Sequence, residues 1–76
     1  MITAICEIQD QDVSIESVQL IENTTEAIEK FEDEMDEQMG LFYHVFRYFD
    51  AEIPDFKNEI QVYQWMDENK HKEMDI

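Results

Sequence analysis

The sequence predicts a single small α+β domain, two helices packed on a small, mainly antiparallel sheet in the order β-β-α-β-β-α. Three observations carry this. Segments 2–8, 13–22 and 41–49 are rich in β-branched and aromatic residues, the types that suit a pleated, half-buried surface. Segments 24–39 and 59–70 repeat apolar residues at helical spacing, each behind an Asn suited to an N-cap. The chain has 76 residues, one Gly, one Pro and 43% hydrophobic residues. That is enough apolar content for one core and no room for a second domain.

Ile2-Thr3-Ala4-Ile5-Cys6-Glu7-Ile8 reads as a first strand, and Gln9-Asp10-Gln11-Asp12 as a polar turn. Val13 and Ile15 then fall on one side and Val18 and Leu20 on the other. A phase change near Ser17 suits a bulge in the second arm of a hairpin. Asn23, with Glu26 three residues on, has the arrangement of a capping box. Ile28, Phe31, Met35 and Met39 follow on one stripe, and Gly40 stops the helix.

Leu41 to Phe49 is apolar on both faces, which predicts a strand covered on both sides. Ile53-Pro54-Asp55-Phe56 reads as a short edge strand, since Pro54 cannot donate to a ladder. Asn58 is a second N-cap candidate, ahead of Ile60, Val62, Tyr63 and Met66. Ile60, Val62 and Met66 also alternate, which would suit a strand over 59–66. The basic Lys70-His71-Lys72 favours the helix, because cations suit a helix C-terminus. Offset by 35 residues, Asn23 falls on Asn58, Ile28 on Tyr63 and Phe31 on Met66, a weak internal repeat in residue class.

Charge dominates the rest. Twenty acids against five bases leave a formal charge of −15 and a pI near 4.1. A small domain is comfortable with a net charge of about 2–8 in magnitude, so self-repulsion here opposes folding. Such charge with little apolar content would mean disorder; with this apolar content it reads as a coat on a folded body. Nucleic acid and anionic membranes would repel that coat. There is no apolar run long enough for a membrane span and no basic n-region of a signal peptide. The lone Cys6 offers no internal disulfide and fits a reducing compartment, which places the protein in the cytoplasm.

The charge is concentrated. Residues 22–37 hold eight acids and one base, Lys30. On a wheel of about 100° per residue, Phe31, Met35 and Met39 fall near Ile28. Glu26, Glu29, Asp33, Asp36 and Glu37 fall on the opposite half. Glu26, Glu29, Asp33 and Glu37 form a row with steps of about 4.5–6 Å, on the scale of phosphate spacing along a nucleic-acid strand. Asp10, Asp12, Glu16, Glu22 and Asp36 could widen it, and a dimer would double it.

A solvated helix face ordinarily interleaves Lys with Glu at i,i+4. This one sets Glu29 against Asp33 and Asp33 against Glu37, and carries Asp36 and Glu37 in its last turn, where the helix dipole disfavours anions. Stability is forgone to hold negative charge, which predicts a binding role.

Other chemistry finds less support. Asp10-x-Asp12-x-Ser14 has the start of a calcium loop, but Ile15 stands where Gly is required and Ile21 where Glu is. Cys6, His44 and His71 are too few and unpaired in spacing for zinc. No nucleophile signature accompanies Cys6 or the serines. No cofactor, metal site or catalytic residue is expected, and the protein is not expected to be an enzyme. Arg47, the lone Arg, suits a structural role, paired with a helix acid or stacked on a ring. Trp65 falls off the Ile60–Tyr63 stripe. With the spare apolar face of 41–49 it supports a competing reading, an interaction module that uses Phe42 and Trp65 rather than the acids.

In size, charge, the acidic helix Glu26–Glu37 and the lack of a catalytic motif, the chain resembles the small acidic host-takeover proteins of bacteriophages, in particular DNA-mimic inhibitors. The resemblance implies a protein that occupies the DNA-binding surface of a basic bacterial host protein. An HU-type nucleoid protein is the first choice, since its surface asks only for spaced negative charge. It implies no direct contact with nucleic acid or membrane and a host-cytoplasmic location. Surplus aromatics suggest a homodimer.

Overall fold

A computed structural model describes residues 1–8, 17–40 and 43–76. Its elements are β1 (Ile2–Ile8), β2 (Val18–Ile21), α1 (Thr25–Met39), β3 (His44–Phe49), α2 (Glu59–Glu68), a 3₁₀ turn (Lys70–Lys72) and β4 (Glu73–Met74). The class is α+β; the described residues form two α-helices and a four-stranded antiparallel sheet in spatial order β2-β1-β3-β4.

β1 and β3 are the central pair, with Thr3 opposite Phe49, Cys6 opposite Phe46 and Ile8 opposite His44. Side chains alternate across a sheet with a period of two, and both faces of this pair are apolar. Ile2, Ala4, Cys6 and Tyr48 meet Ile28, Phe31 and Met35 of α1 on one face. Ile5 and Phe49 meet Val62, Trp65 and Met66 of α2 on the other. The result is three layers, helix–sheet–helix; the expectation that 41–49 is covered on both faces holds at Tyr48 and Phe49, which are buried one on each face, but not at Tyr43 and Val45, which stay exposed. β2 pairs with β1 from Ile2↔Ile21 to Ile5↔Val18, the second arm of the expected hairpin. The turn at 9–12, the first part of that arm at 13–16, and Leu41 and Phe42 lie outside the described residues.

Phe31 is the centre of the first core. It is fully buried, edge-on to Phe46 at 5.9 Å and to Tyr48 at 6.3 Å. Burying a large apolar side chain contributes roughly 1.5–3 kcal/mol, so the Ile28–Phe31–Met35 stripe is what docks α1. The second core centres on Trp65, edge-on to Phe49 at 5.1 Å and to Phe56 at 6.1 Å. The Thr3 hydroxyl, also buried, donates to the Ala51 carbonyl at 2.6 Å and ties β1 to the chain after β3.

The N-cap of α1 is Thr24, one residue later than the expected Asn23; its Oγ1 accepts from the Ala27 N–H at 3.1 Å. No capping box through Glu26 exists, because Glu26 falls one residue short of the N3 position that such a box needs. Thr24→Ala is expected to lower stability by about 1 kcal/mol while Asn23→Ala leaves it nearly unchanged, a difference that urea titration reads directly. Gly40 ends the helix at φ 58° and ψ −118°, its N–H donating to the Asp36 carbonyl. Only glycine adopts such a pair without strain.

Asn58 caps α2 as expected, accepting from the Gln61 N–H at 3.0 Å, and 59–68 is a helix, not a strand. With caps at Thr24 and Asn58 the two helices align at an offset of 34, not 35. Ile28 then falls on Val62 and Phe31 on Trp65, each a buried position.

The fourth strand is not Ile53–Phe56. Ile53 and Phe56 instead pack their side chains against the α2-side core, and Pro54 offers no ladder donor. β4 comes after α2, pairing Met74 with Tyr48 and Glu73 with Phe49. The observed order is therefore β-β-α-β-α-β.

Candidate functional site

α1 is held by one stripe, so its opposite half faces solvent by construction. Glu26, Glu29, Asp33, Asp36 and Glu37 are all exposed on it, and Glu22 is exposed on its approach. The structure thus brings together six of the nine expected residues. The other three, Asp10, Asp12 and Glu16, lie outside the described residues.

The row is almost free of counter-charge. Among the described residues, Asp36 is the one acid of α1 in contact with a basic side chain, its Oδ1 2.6 Å from His44 Nε2. Glu26, Glu29, Asp33 and Glu37 have no such partner. Lys30 stands on α1 itself, exposed and one turn from Glu26, but in no ion pair among the described residues; the other bases lie elsewhere. Lys57 precedes α2 and Lys70 and Lys72 follow it, on the far side of the sheet. Lys70 makes only a loose, exposed pair with Asp67 at 3.9 Å.

Arg47 is consumed by the fold. Its Nη2 donates to Glu73 Oε1 at 2.8 Å and its Nε to Glu73 Oε2 at 3.2 Å. Glu7 lies 3.7 Å away and the Phe49 ring 5.5 Å below the guanidinium. The expected ring contact is present; the acids are those of β1 and β4 rather than of a helix. Beside Arg47 the Glu73 carboxyl is held below the usual carboxylate range. Its contribution to stability is therefore present at neutral pH and lost as the pH falls through that lowered value.

The unpaired row makes a prediction about stability. Moderate salt is expected to raise the melting temperature, because it screens repulsion among α1 carboxylates that outnumber the one base of the helix, Lys30. A scan at about 0.05 M and about 0.5 M sodium chloride checks it.

Beside the row lies an apolar cleft of about 270 Å³ between β2 and α1, lined among others by Leu20, Ala27, Phe31 and Lys30, with Glu22 and Glu34 also on its wall. No sequence signal marked it, since Leu20 belongs to a strand and the others to a helix. It sets apolar surface next to carboxylates.

The remaining chemically active side chains are buried. Cys6 is fully enclosed, and burial, with the Asp36 carboxylate adding to it, pushes its thiol up to about 11. At neutral pH it is a neutral thiol. The folded value lies above the unfolded one, so this stabilisation is complete below about pH 9 and lost as the pH rises towards about 11. Cys6 is expected to react with a thiol reagent only as fast as the chain unfolds, with a sharp rise in rate above pH 9.

Tyr48 is also buried, its Oη without a partner at hydrogen-bond distance among the described residues. Burial raises its phenol strongly, and the nearby Glu32 carboxylate adds to the shift. Trp65, expected as a contact residue in the competing reading, is only 8% exposed and belongs to the core. Phe42, the other, lies outside the described residues.

Among the described residues no group of three or more His, Cys, Asp or Glu is placed to hold a metal ion, and no helix is long and apolar enough to cross a membrane. No family model, curated protein or solved structure matches the chain.

Proposed function

We propose that the protein is a DNA-mimic inhibitor, which occupies the nucleic-acid-binding surface of a basic host protein with the outer face of α1. The observation that carries this reading is the row Glu26, Glu29, Asp33 and Glu37, exposed, in line and without a cationic partner among the described residues. Carboxylates one helical turn apart stand in for phosphates and meet Lys and Arg of the target. Glu22 and Asp36 flank the row, and Asp10, Asp12 and Glu16 are the acids that would extend it. The Leu20–Ala27 cleft offers the apolar contact that turns charge attraction into preference for one partner. An HU-type nucleoid protein is the first target to test, because its sequence-indifferent surface requires only spaced negative charge. The site of action is then the host cytoplasm, with no catalytic residue or cofactor involved.

The test is displacement. A labelled duplex is bound to a purified HU-type protein and the chain is titrated in, at about 0.05 M and about 0.5 M salt. The chain should release the duplex at low salt, lose affinity steeply at high salt, and bind no duplex on its own. Electrostatically steered association has this signature. Binding that is unchanged by salt, or no displacement from any of several basic DNA-binding proteins, overturns the reading.

A further inference from the structure

β1 covers one side of β3 along its whole length, but the other side is only partly covered. β4 has two residues and flanks only Tyr48 and Phe49; among the described residues no strand flanks the outer side of β3 ahead of Tyr48. The direction of the main chain there can be read from its neighbours. The Asp50 N–H donates to the Lys72 carbonyl on the β4 side. Main-chain groups alternate along a strand, so those of Tyr48 and Phe46 point to that side too. Those of Phe46 lie past the end of β4.

Two further observations mark this edge. Tyr43 is 67% exposed and Val45 38%, apolar surface beside the open main chain. Residues 38–49 contain no acid at all, the longest such run in a chain with twenty of them. Natural sheet edges are usually guarded by Lys, Pro or a bulge. Here the one cation, Arg47, is drawn away by Glu73 and Glu7.

We infer that a second copy of the chain pairs its own β3 antiparallel to this edge, making one continuous eight-stranded sheet across a two-fold axis. Charge selects the occupant. Two copies at −15 each repel wherever carboxylates face one another, and this acid-free strand is the place where they can meet without doing so. A basic partner is drawn to α1 instead, where the unpaired anions are. An isologous contact needs one self-complementary patch, and an antiparallel strand pair is self-complementary by construction. A two-fold axis perpendicular to the sheet keeps like faces together. Both α1 helices then lie on one side of the dimer and both α2 helices on the other. If α1 is the binding surface, which is the reading proposed above, the dimer presents two acidic rows side by side; the dimer itself does not depend on that reading.

Sedimentation equilibrium over a range of chain concentrations tests this, at low and at high salt. The expected result is a mass twice the 9.2 kDa of the chain, with tighter dimerisation at higher salt as repulsion between copies is screened. That is the opposite sign to the salt effect on a basic partner, so the two proposals fail separately. Tyr43→Lys with Val45→Lys should weaken the dimer at least tenfold. Should that variant not fold, amide exchange on the unaltered chain reads the same edge: the Phe46 amide should become more protected as concentration rises. A monomer at all concentrations overturns the inference. So does a Phe46 amide whose protection ignores concentration, as it would if residues 75–76 continued β4 across it, and so does a dimer that keeps its affinity in the double Lys variant.

Discussion

Glu29→Gln, Asp33→Gln and Glu37→Gln in one chain should strongly weaken displacement of DNA from a basic target while raising the melting temperature. All three side chains are exposed and none has a cationic partner among the described residues, so nothing in the fold is lost. Gln has nearly the helix propensity of Glu, and two like-charge pairs at i,i+4 disappear. Each lost charge pair at an interface weakens binding by a modest factor. Three together, with the loss of long-range steering, are expected to reduce affinity roughly tenfold to a thousandfold. The slope of log affinity on log salt should flatten in the same variant. Competition binding and a thermal scan on the same sample check both signs. Full inhibition by the triple variant would make the acids a coat and move the interface off α1.

Trp65→Ala should be the most destabilising single change on the α2 side, about 3–5 kcal/mol. The ring fills the space between Phe49 and Phe56 and is 8% exposed. A single core in a chain this short rarely supplies more than about 3–5 kcal/mol, so a large fraction of the variant would be unfolded at 37 °C. The result separates two roles for the residue. A core Trp, once removed, lowers the urea midpoint and reduces binding only through the unfolded fraction; a contact Trp would weaken binding with the midpoint intact. Denaturant titration beside the binding assay distinguishes them.

The two readings of Trp65 show where sequence patterning runs out. On α2 the spacing predicts the stripe Ile60–Val62–Tyr63–Met66, yet the buried set is Val62, Trp65 and Met66, with Ile60 exposed. A ten-residue helix has two or three possible apolar stripes, and the sheet face chooses among them. α1 offered no such choice, because its acids left one apolar direction, and the expected stripe is the observed one. The cap at Thr24 rather than Asn23 is a smaller case of the same kind. Both side chains can accept a main-chain N–H, and the apolar stripe sets where the first turn begins.

The anionic face itself is legible in the letters, since residues that crowd one side of a 3.6-residue period stay on one side in any fold that buries the other. Apart from Lys30 on the same helix, its freedom from counter-ions is not. That depends on Arg47 being held by Glu7 and Glu73, and on α2, with its flanking lysines, lying across the sheet from α1.

By itself, then, the sequence determined the class, the two helices, the β1–β2 pairing and the acidic row, all of which follow from local period and from like charges along one helix. The tertiary structure alone decided that the helices lie on opposite faces of the sheet. It also put the fourth strand in Glu73–Met74 rather than Ile53–Phe56. The reason is hydrogen bonding and charge across long separations. A β3 edge next to Arg47 is satisfied by a segment that brings both main-chain partners and a carboxylate, and no local pattern in two residues announces that.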